Sequence, residues 1–159
     1  MKSLVFFGSL RSKKLLKIVL ERKVGDLNIS LGKIPKHKSL KVQKEDFPYL
    51  SNTRNKNDYV ICSFVEGLTN EDYQKILFYE SIEYKLCKIK IIIDEKLINS
   101  YYFKLIKEHK TKINWSYENW QTKYERVSCK AAKLWMSLFI EFKDKPAQAE
   151  VNWKEMLKQ

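Results

Sequence analysis

Glycine and proline are scarce in this chain, with 4 and 3 residues among 159, and no stretch holds enough of either to make a long flexible linker. The length and apolar content suit one compact unit with a single core. Cysteine is scarce too. Cys62, Cys87 and Cys129 are odd in number, far apart and without a CxxC pair, so they read as small core residues in a reducing compartment rather than a zinc or redox site. The histidines, His37 and His109, stand alone, outside any HxxxH or HExxH pattern, and no metal is expected. Long apolar runs are missing as well. Nothing approaches the roughly 20 residues of a membrane span. Residues 4–10 are too few for a signal-peptide core, and no small-residue cleavage site follows them. The expectation is a soluble cytoplasmic protein with no membrane partner.

Arginine is the scarce cation. It occurs only at positions 11, 22, 54 and 126, and lysine supplies the rest of the positive charge behind a formal net charge of +12. The lysines are spread along the whole chain, and Lys, Ile and Asn are abundant together, as codon bias in an AT-rich genome would produce. Specific nucleic-acid readers rely on arginine for bidentate base contacts. The charge therefore predicts loose, salt-sensitive attraction to polyanions and no specific nucleic-acid partner.

What is present reads as α+β. Residues 3–7 form a short apolar strand. Ser12 is placed to cap a helix whose Leu15, Leu16, Val19 and Leu20 share one face, with Gly25 marking the exit. Strands follow over 27–34 and 38–44. Residues 45–58, with Pro48 and the run SNTRNKND, read as loop, and 58–68 as a strand. Thr69 and Asp72 form a TxxD capping pattern at the head of a short helix. Residues 84–94 alternate as a strand, and 99–106 are another candidate. Beyond about 110 the pattern is helical. There Ala131, Leu134, Trp135, Leu138, Phe139 and Phe142 share a face, and a last short helix follows Pro146. Strands without regular βαβ alternation disfavour a doubly wound sheet. A small mixed β-barrel with flanking helices fits better, with residues 1–108 as the barrel and 109–159 as a helical C-terminal extension packed on the same domain.

Two local features carry chemistry. In FFGSLR, residues 6–11, a strand ends at Gly8 and passes into a capped helix. Such a junction leaves backbone N–H groups unpaired, and glycine lets a ligand approach the backbone closely. Those amides could hold a carboxylate or an oxyanion, or the segment could be a plain structural turn. It matches neither a P-loop nor a dinucleotide-binding fingerprint. In LFYESIEY, residues 77–84, Glu80 closes a helix among aromatic neighbours. A carboxylate at a helix C-terminus faces the negative end of the dipole, and an apolar setting desolvates it. Both raise its pKa towards the range of proton transfer, unless Glu80 is simply a solvated glutamate like Glu83.

Together the two features resemble the gamma-glutamylcyclotransferase-like superfamily, in its gamma-glutamylamine cyclotransferase-like branch. The residues that carry the resemblance are Phe7-Gly8-Ser9-Leu10-Arg11, Phe47-Pro48-Tyr49-Leu50 and Glu66-Gly67-Leu68-Thr69-Asn70-Glu71-Asp72. They continue as Ile76-Leu77-Phe78-Tyr79-Glu80, Tyr84 and Cys87-Lys88-Ile89-Lys90-Ile91, so that residues 3 to about 103 are covered. The resemblance implies a small β-barrel with flanking helices. It also implies an enzyme that converts a gamma-glutamyl amide to 5-oxoproline and a free amine, with neither metal nor cofactor. Glu80 matches the family's acid/base, the backbone of Gly8, Ser9 and Leu10 would hold the glutamyl group, and Phe7, Tyr84 and Tyr102 would complete the substrate site.

The chain departs from the family pattern at three positions. Phe7 stands where tyrosine is usual, Leu77 where aspartate is usual, and Cys62 where glycine is usual. Residues 104–159 have no counterpart in the resemblance. Their Trp115, Tyr117, Trp120 and Tyr124 suit a cover over the barrel mouth or a packing surface. The competing readings are a catalytically inactive barrel that binds a small ligand or a protein, motivated by Phe7 and the aromatic tail, and a basic nucleic-acid-binding module.

Overall fold

The computed structural model describes residues 3–107 and 111–158; His109 lies outside them. Strand β1 (Leu4–Phe6) runs through a 3-10 turn (Ser9–Arg11) into helix α1 (Lys13–Leu20). Strands β2 (Asn28–Pro35), β3 (His37–Lys41), β4 (Pro48–Asn52) and β5 (Tyr59–Glu66) follow, then helix α2 (Asn70–Glu80) and a 3-10 turn (Ser81–Glu83). Strands β6 (Tyr84–Ile93) and β7 (Lys96–Leu105) form a long hairpin, and helices α3 (Tyr117–Lys123), α4 (Glu125–Met136), α5 (Phe139–Phe142) and α6 (Pro146–Leu157) complete the chain. The hairpin turns at Asp94 and Glu95, both at positive φ (50° and 65°), the backbone a tight two-residue connection needs.

The main sheet has five strands in the order β1-β5-β2-β6-β7, and β3 and β4 pair separately. Every pairing among the described residues is antiparallel. Alternation sends side chains to opposite faces of the sheet. Leu4 and Phe6 join a large core with α1, α2 and the C-terminal helices, whereas Val5, Ile34, Cys62 and Ile91 form a smaller core on the other face. Burial pushes the Cys62 thiol up to about 12, consistent with an inert packing residue.

The α+β class and the helical C-terminal part are as the sequence indicates. The barrel is not closed. Among the described residues β1 pairs only with β5, and the edges β1 and β7 meet through a 2.7 Å hydrogen bond between the Ser3 and Ser100 hydroxyls rather than through a ladder. Residues 48–52, expected as loop, are strand β4. Pro48 starts it at the end of a two-stranded pair, where its missing N–H costs nothing. The exit of α1 lies at Glu21 (φ 54°) rather than Gly25, because Glu21 itself takes the left-handed cap and returns its N–H to the Ile18 carbonyl. The buried face of α4 is Ala132, Trp135 and Met136, while Leu134 is exposed. Among the described residues no helix is long and apolar enough to cross a membrane.

Candidate active site

Helix α2 has a strongly fixed beginning. The Thr69 hydroxyl accepts from the Asp72 N–H at 3.0 Å, and the Asp72 carboxylate accepts from the Thr69 N–H at 2.9 Å, a reciprocal capping box. Arg22 then donates to both carboxylate oxygens of Asp72, from Nε at 2.8 Å and from Nη2 at 2.6 Å. Burial alone would raise the Asp72 pKa. The hydrogen bonds from Arg22 and Thr69 and the guanidinium charge outweigh it and hold the group below its ordinary value.

The end of the helix is fixed by other means. Trp135 stacks on Phe78 with ring centroids 4.9 Å apart and donates its indole N–H to the Phe78 carbonyl at 3.2 Å, occupying one of the carbonyls a helix C-terminus leaves free. Ser81 follows Glu80 at φ 64°, ψ −168°, a conformation that β-carbon-bearing residues seldom adopt, and its hydroxyl donates to Glu150 of α6 at 2.8 Å. Thus α4 and α6 hold the last turn of α2 on either side of Glu80, at Phe78 and at Ser81.

The second wall comes from the N-terminal strand. After β1 the chain turns at Gly8 (φ −109°, ψ −138°), and the Arg11 and Ser12 amides return to the carbonyls of Gly8 (3.1 Å) and Ser9 (3.0 Å). Ser9 and Leu10 sit at the head of that turn, where an amide has no partner within the turn itself. A Cβ on Gly8 would lie 3.2 Å from both Cγ and Cδ of Pro48, so the glycine lets β4 close against the turn. The Ser12 hydroxyl accepts from the Leu15 N–H at 3.2 Å and donates to Glu125 of α4 at 2.8 Å.

Phe7, Gly8, Ser9, Leu10, Glu80 and Tyr84 line one cavity of about 60 Å³. Phe47, Pro48 and Phe103 complete much of its wall. Tyr102 stands outside it, one edge-to-face ring contact away from Phe7 (6.2 Å between centroids). It lines an adjoining depression of about 520 Å³ that shares Phe7, Pro48, Tyr84 and Phe103 with the cavity.

Burial in this apolar setting pushes the Glu80 carboxyl up to about 8. The phenols of Tyr79 and Tyr84 are both raised, first by burial and then by the nearby Glu80 charge, so they remain neutral donors; a hydrogen bond with the Ser9 side chain partly offsets the shift at Tyr79. Tyr79, which the sequence does not single out, stands beside the site without lining the cavity, tied to its turn by the hydrogen bond with Ser9. The site thus sets a carboxyl whose pKa is raised towards neutral pH in the same cavity wall as a glycine turn. Among the described residues no group of three or more His, Cys, Asp or Glu side chains could hold a metal ion.

No protein-family model and no curated protein matches the chain. Solved structures do. The solution structure of At3g28950.1 from Arabidopsis thaliana aligns with a TM-score of 0.59 at 10% identity, covering 92% of this chain and 86% of that one. The solution structure of At5g39720.1 from the same plant aligns with a TM-score of 0.58 at 15% identity, covering 91% and 94%. The crystal structure of the uncharacterized protein PH0828 from Pyrococcus horikoshii aligns with a TM-score of 0.51 at 12% identity, covering 80% and 97%. At these identities the likeness is one of fold: the chain shares its architecture, over most of its length, with proteins of a plant and an archaeon.

Proposed function

We propose that the protein is a gamma-glutamylcyclotransferase-like enzyme acting in the cytoplasm on a small gamma-glutamyl amide. The observation that carries this reading is that Glu80 and the Gly8–Leu10 turn line the same cavity. The reaction needs a proton shuttle within direct or one-water reach of a group held by the turn. In the proposed sequence the Glu80 carboxylate takes a proton from the substrate's α-ammonium. The freed amine attacks the substrate's own γ-carbonyl and a five-membered ring closes. The γ-carbonyl carbon–nitrogen bond then breaks as Glu80 returns the proton to the departing nitrogen, and the second proton lost by the ring nitrogen passes to the released amine, which leaves as an ammonium ion. The products are 5-oxoproline and a free amine, with no external nucleophile, cofactor or metal in the balance.

The physical demands are modest. The nucleophile is already tethered, so the protein supplies orientation, fixed amide donors for the developing oxyanion and one proton carrier. A carboxyl near 8 exchanges its proton at small cost near neutral pH. The cavity of about 60 Å³ is smaller than a glutamyl group, so in this reading the substrate extends from it into the adjoining depression of about 520 Å³, with which it shares Phe7, Pro48, Tyr84 and Phe103. The test is release of 5-oxoproline from a panel of gamma-glutamyl amines, amino acids and peptides, with Glu80→Gln compared at matched folding by circular dichroism. Full turnover in Glu80→Gln would sink the mechanism.

A second reading rests on Phe7, which gives the cavity wall a ring without the hydroxyl that the family's tyrosine carries. In that reading the pocket binds a gamma-glutamyl compound without converting it. No product from the whole panel, together with a raised melting temperature in the presence of one member, would favour it.

A further inference from the structure

Among the described residues, two buried side-chain polar atoms have no hydrogen-bond partner: Nε of Arg11 and Oγ of Ser39. Both belong to the wall of one cleft of about 410 Å³, formed where the Arg11 turn, β3, the start of β5 and the segment leading into α3 meet. Buried donors left unpaired carry their whole desolvation cost, and native proteins rarely retain one without an unseen partner. Here the two belong to residues that line one opening, just beneath its wall. We propose that this cleft is a second binding site, for a small organic carboxylate, with Arg11 and Ser39 as its donors.

The geometry around Arg11 favours that ligand class. Its guanidinium lies over the Tyr117 ring, with Cζ 4.2 Å from the centroid, so its plane is set by stacking rather than by an acidic partner. No ion pair to Arg11 exists among the described residues, although Asp58 and Glu118 share the cleft wall. A planar, oriented guanidinium with a free N–H matches a planar carboxylate, and a hydroxyl beside it supplies a further donor. Asp58 and Glu118 balance Arg11 and Lys38 in formal charge, so the cleft suits a single negative charge better than a phosphate dianion. The rings of Phe7, Trp115 and Tyr117 offer an apolar bed for the ligand's body. Phe7 is the one wall residue this cleft shares with the Glu80 cavity, so the site stands apart from the proposed reaction.

The experiment is calorimetric titration of the whole protein with phenylacetate, its neutral isostere phenylacetamide and inorganic phosphate. The wild type is compared with Arg11→Gln and Ser39→Ala, and the Trp115 indole N–H is followed by NMR. Phenylacetate is expected to bind roughly tenfold or more tightly than the amide and to shift the Trp115 signal. Arg11→Gln is expected to weaken it about tenfold and Ser39→Ala several-fold. Ser39→Ala removes an unpaired hydroxyl, so the ligand-free variant should melt at the same temperature or higher; it keeps the test decisive if Arg11→Gln misfolds. Equal binding of acid and amide, tighter binding of phosphate, carboxylate binding indifferent to both substitutions, or no binding at all would each overturn the proposal, the last meaning that the two atoms hold water only.

Discussion

Helix α2 carries a carboxylate at each end of interest, Asp72 in its first turn and Glu80 at its last residue, and the structure treats them oppositely. Asp72 receives a guanidinium fork, a backbone N–H and the favourable end of the helix dipole, and its pKa is held down. Glu80 receives burial and the unfavourable end of the dipole, and its pKa rises to about 8. One side chain is spent on holding the helix in place. The other is left energetically uncomfortable at the position the first one fixes. A carboxylate whose every interaction favours ionisation is a structural group. A carboxylate with nothing to favour its charge is the better candidate for chemistry.

The sharpest way to break the contrast is Glu80→Gln. Loss of a positioned acid/base is expected to lower 5-oxoproline formation by roughly 100- to 10,000-fold. The fold should gain rather than lose. A folded-state pKa near 8 lies above the ordinary glutamate value of 4.5, so the native state binds the extra proton between those limits and wild-type stability falls as pH rises from 4.5 to 8. Urea unfolding across that range should show the slope in the wild type and its loss in Glu80→Gln. A variant that unfolds more easily than wild type at pH 8 would mean that Glu80 is a structural group after all.

Asp72→Asn is the mirror experiment. Removing one partner of a buried, bidentate ion pair and half of a capping box is expected to cost about 2 kcal/mol at neutral pH. Here the folded-state value lies below the ordinary 3.8, so the stabilisation is present above that pH and is lost as pH falls through the native value. The gap between wild type and Asp72→Asn should therefore close in acid, whereas the gap for Glu80→Gln opens towards alkali. Parallel pH profiles for the two variants would show that the ends of α2 do not differ in kind.

The end of α2 that holds Asp72 was legible from local spacing alone, because a capping box is a contact three residues long. The Glu80 end was legible only in part. Glu80, Tyr84 and the Gly8 turn declare themselves through short-range signals, but the helix end that carries Glu80 is held by Trp135 on the Phe78 carbonyl and Glu150 on Ser81, contacts across 57 and 69 residues. Strand parity explains Tyr102. The β6–β7 register sets Phe103 opposite Leu86 and Tyr102 opposite Cys87, so Phe103 joins the large core under α2 and Tyr102 the smaller core on the other face, beside Phe7. Short alternating runs do not reveal which parity is inward when both faces of a sheet are covered. Strand β4 is hidden for another reason: its Pro48 and Asn52, and the asparagine-rich run after it, read as loop until pairing with β3 gives it a strand to join.

Phe7→Tyr probes the Glu80 end without touching its carboxyl. The added hydroxyl enters a wall that now meets Tyr102 edge-on. One new hydrogen bond to a glutamyl group is worth up to about tenfold in KM or kcat/KM. A rise in kcat/KM would assign the phenylalanine to substrate choice. A fall would show that the edge-on contact with Tyr102 matters more than the missing hydroxyl. Neither result should move the acid unfolding profile, which belongs to Asp72.

The smallest expected effect is at Gly8. Alanine there places a methyl group 3.2 Å from two Pro48 carbons, tighter than ordinary van der Waals contact, so β4 must retreat by a few tenths of an ångström. Strain of that size costs about 1 kcal/mol, readable as a shift in the urea midpoint. Its more informative consequence is for the cavity, because Gly8 and Pro48 are both in its wall. Displacing that wall is expected to change the distance between the turn and Glu80 more than it changes the burial of the carboxyl. Gly8→Ala is therefore expected to lower kcat several-fold with an unaltered pH–rate profile. If the profile shifts instead, the wall of the turn contributes to the desolvation of Glu80, and the chemistry at that end of α2 is tuned by β4 as much as by the helix that carries it.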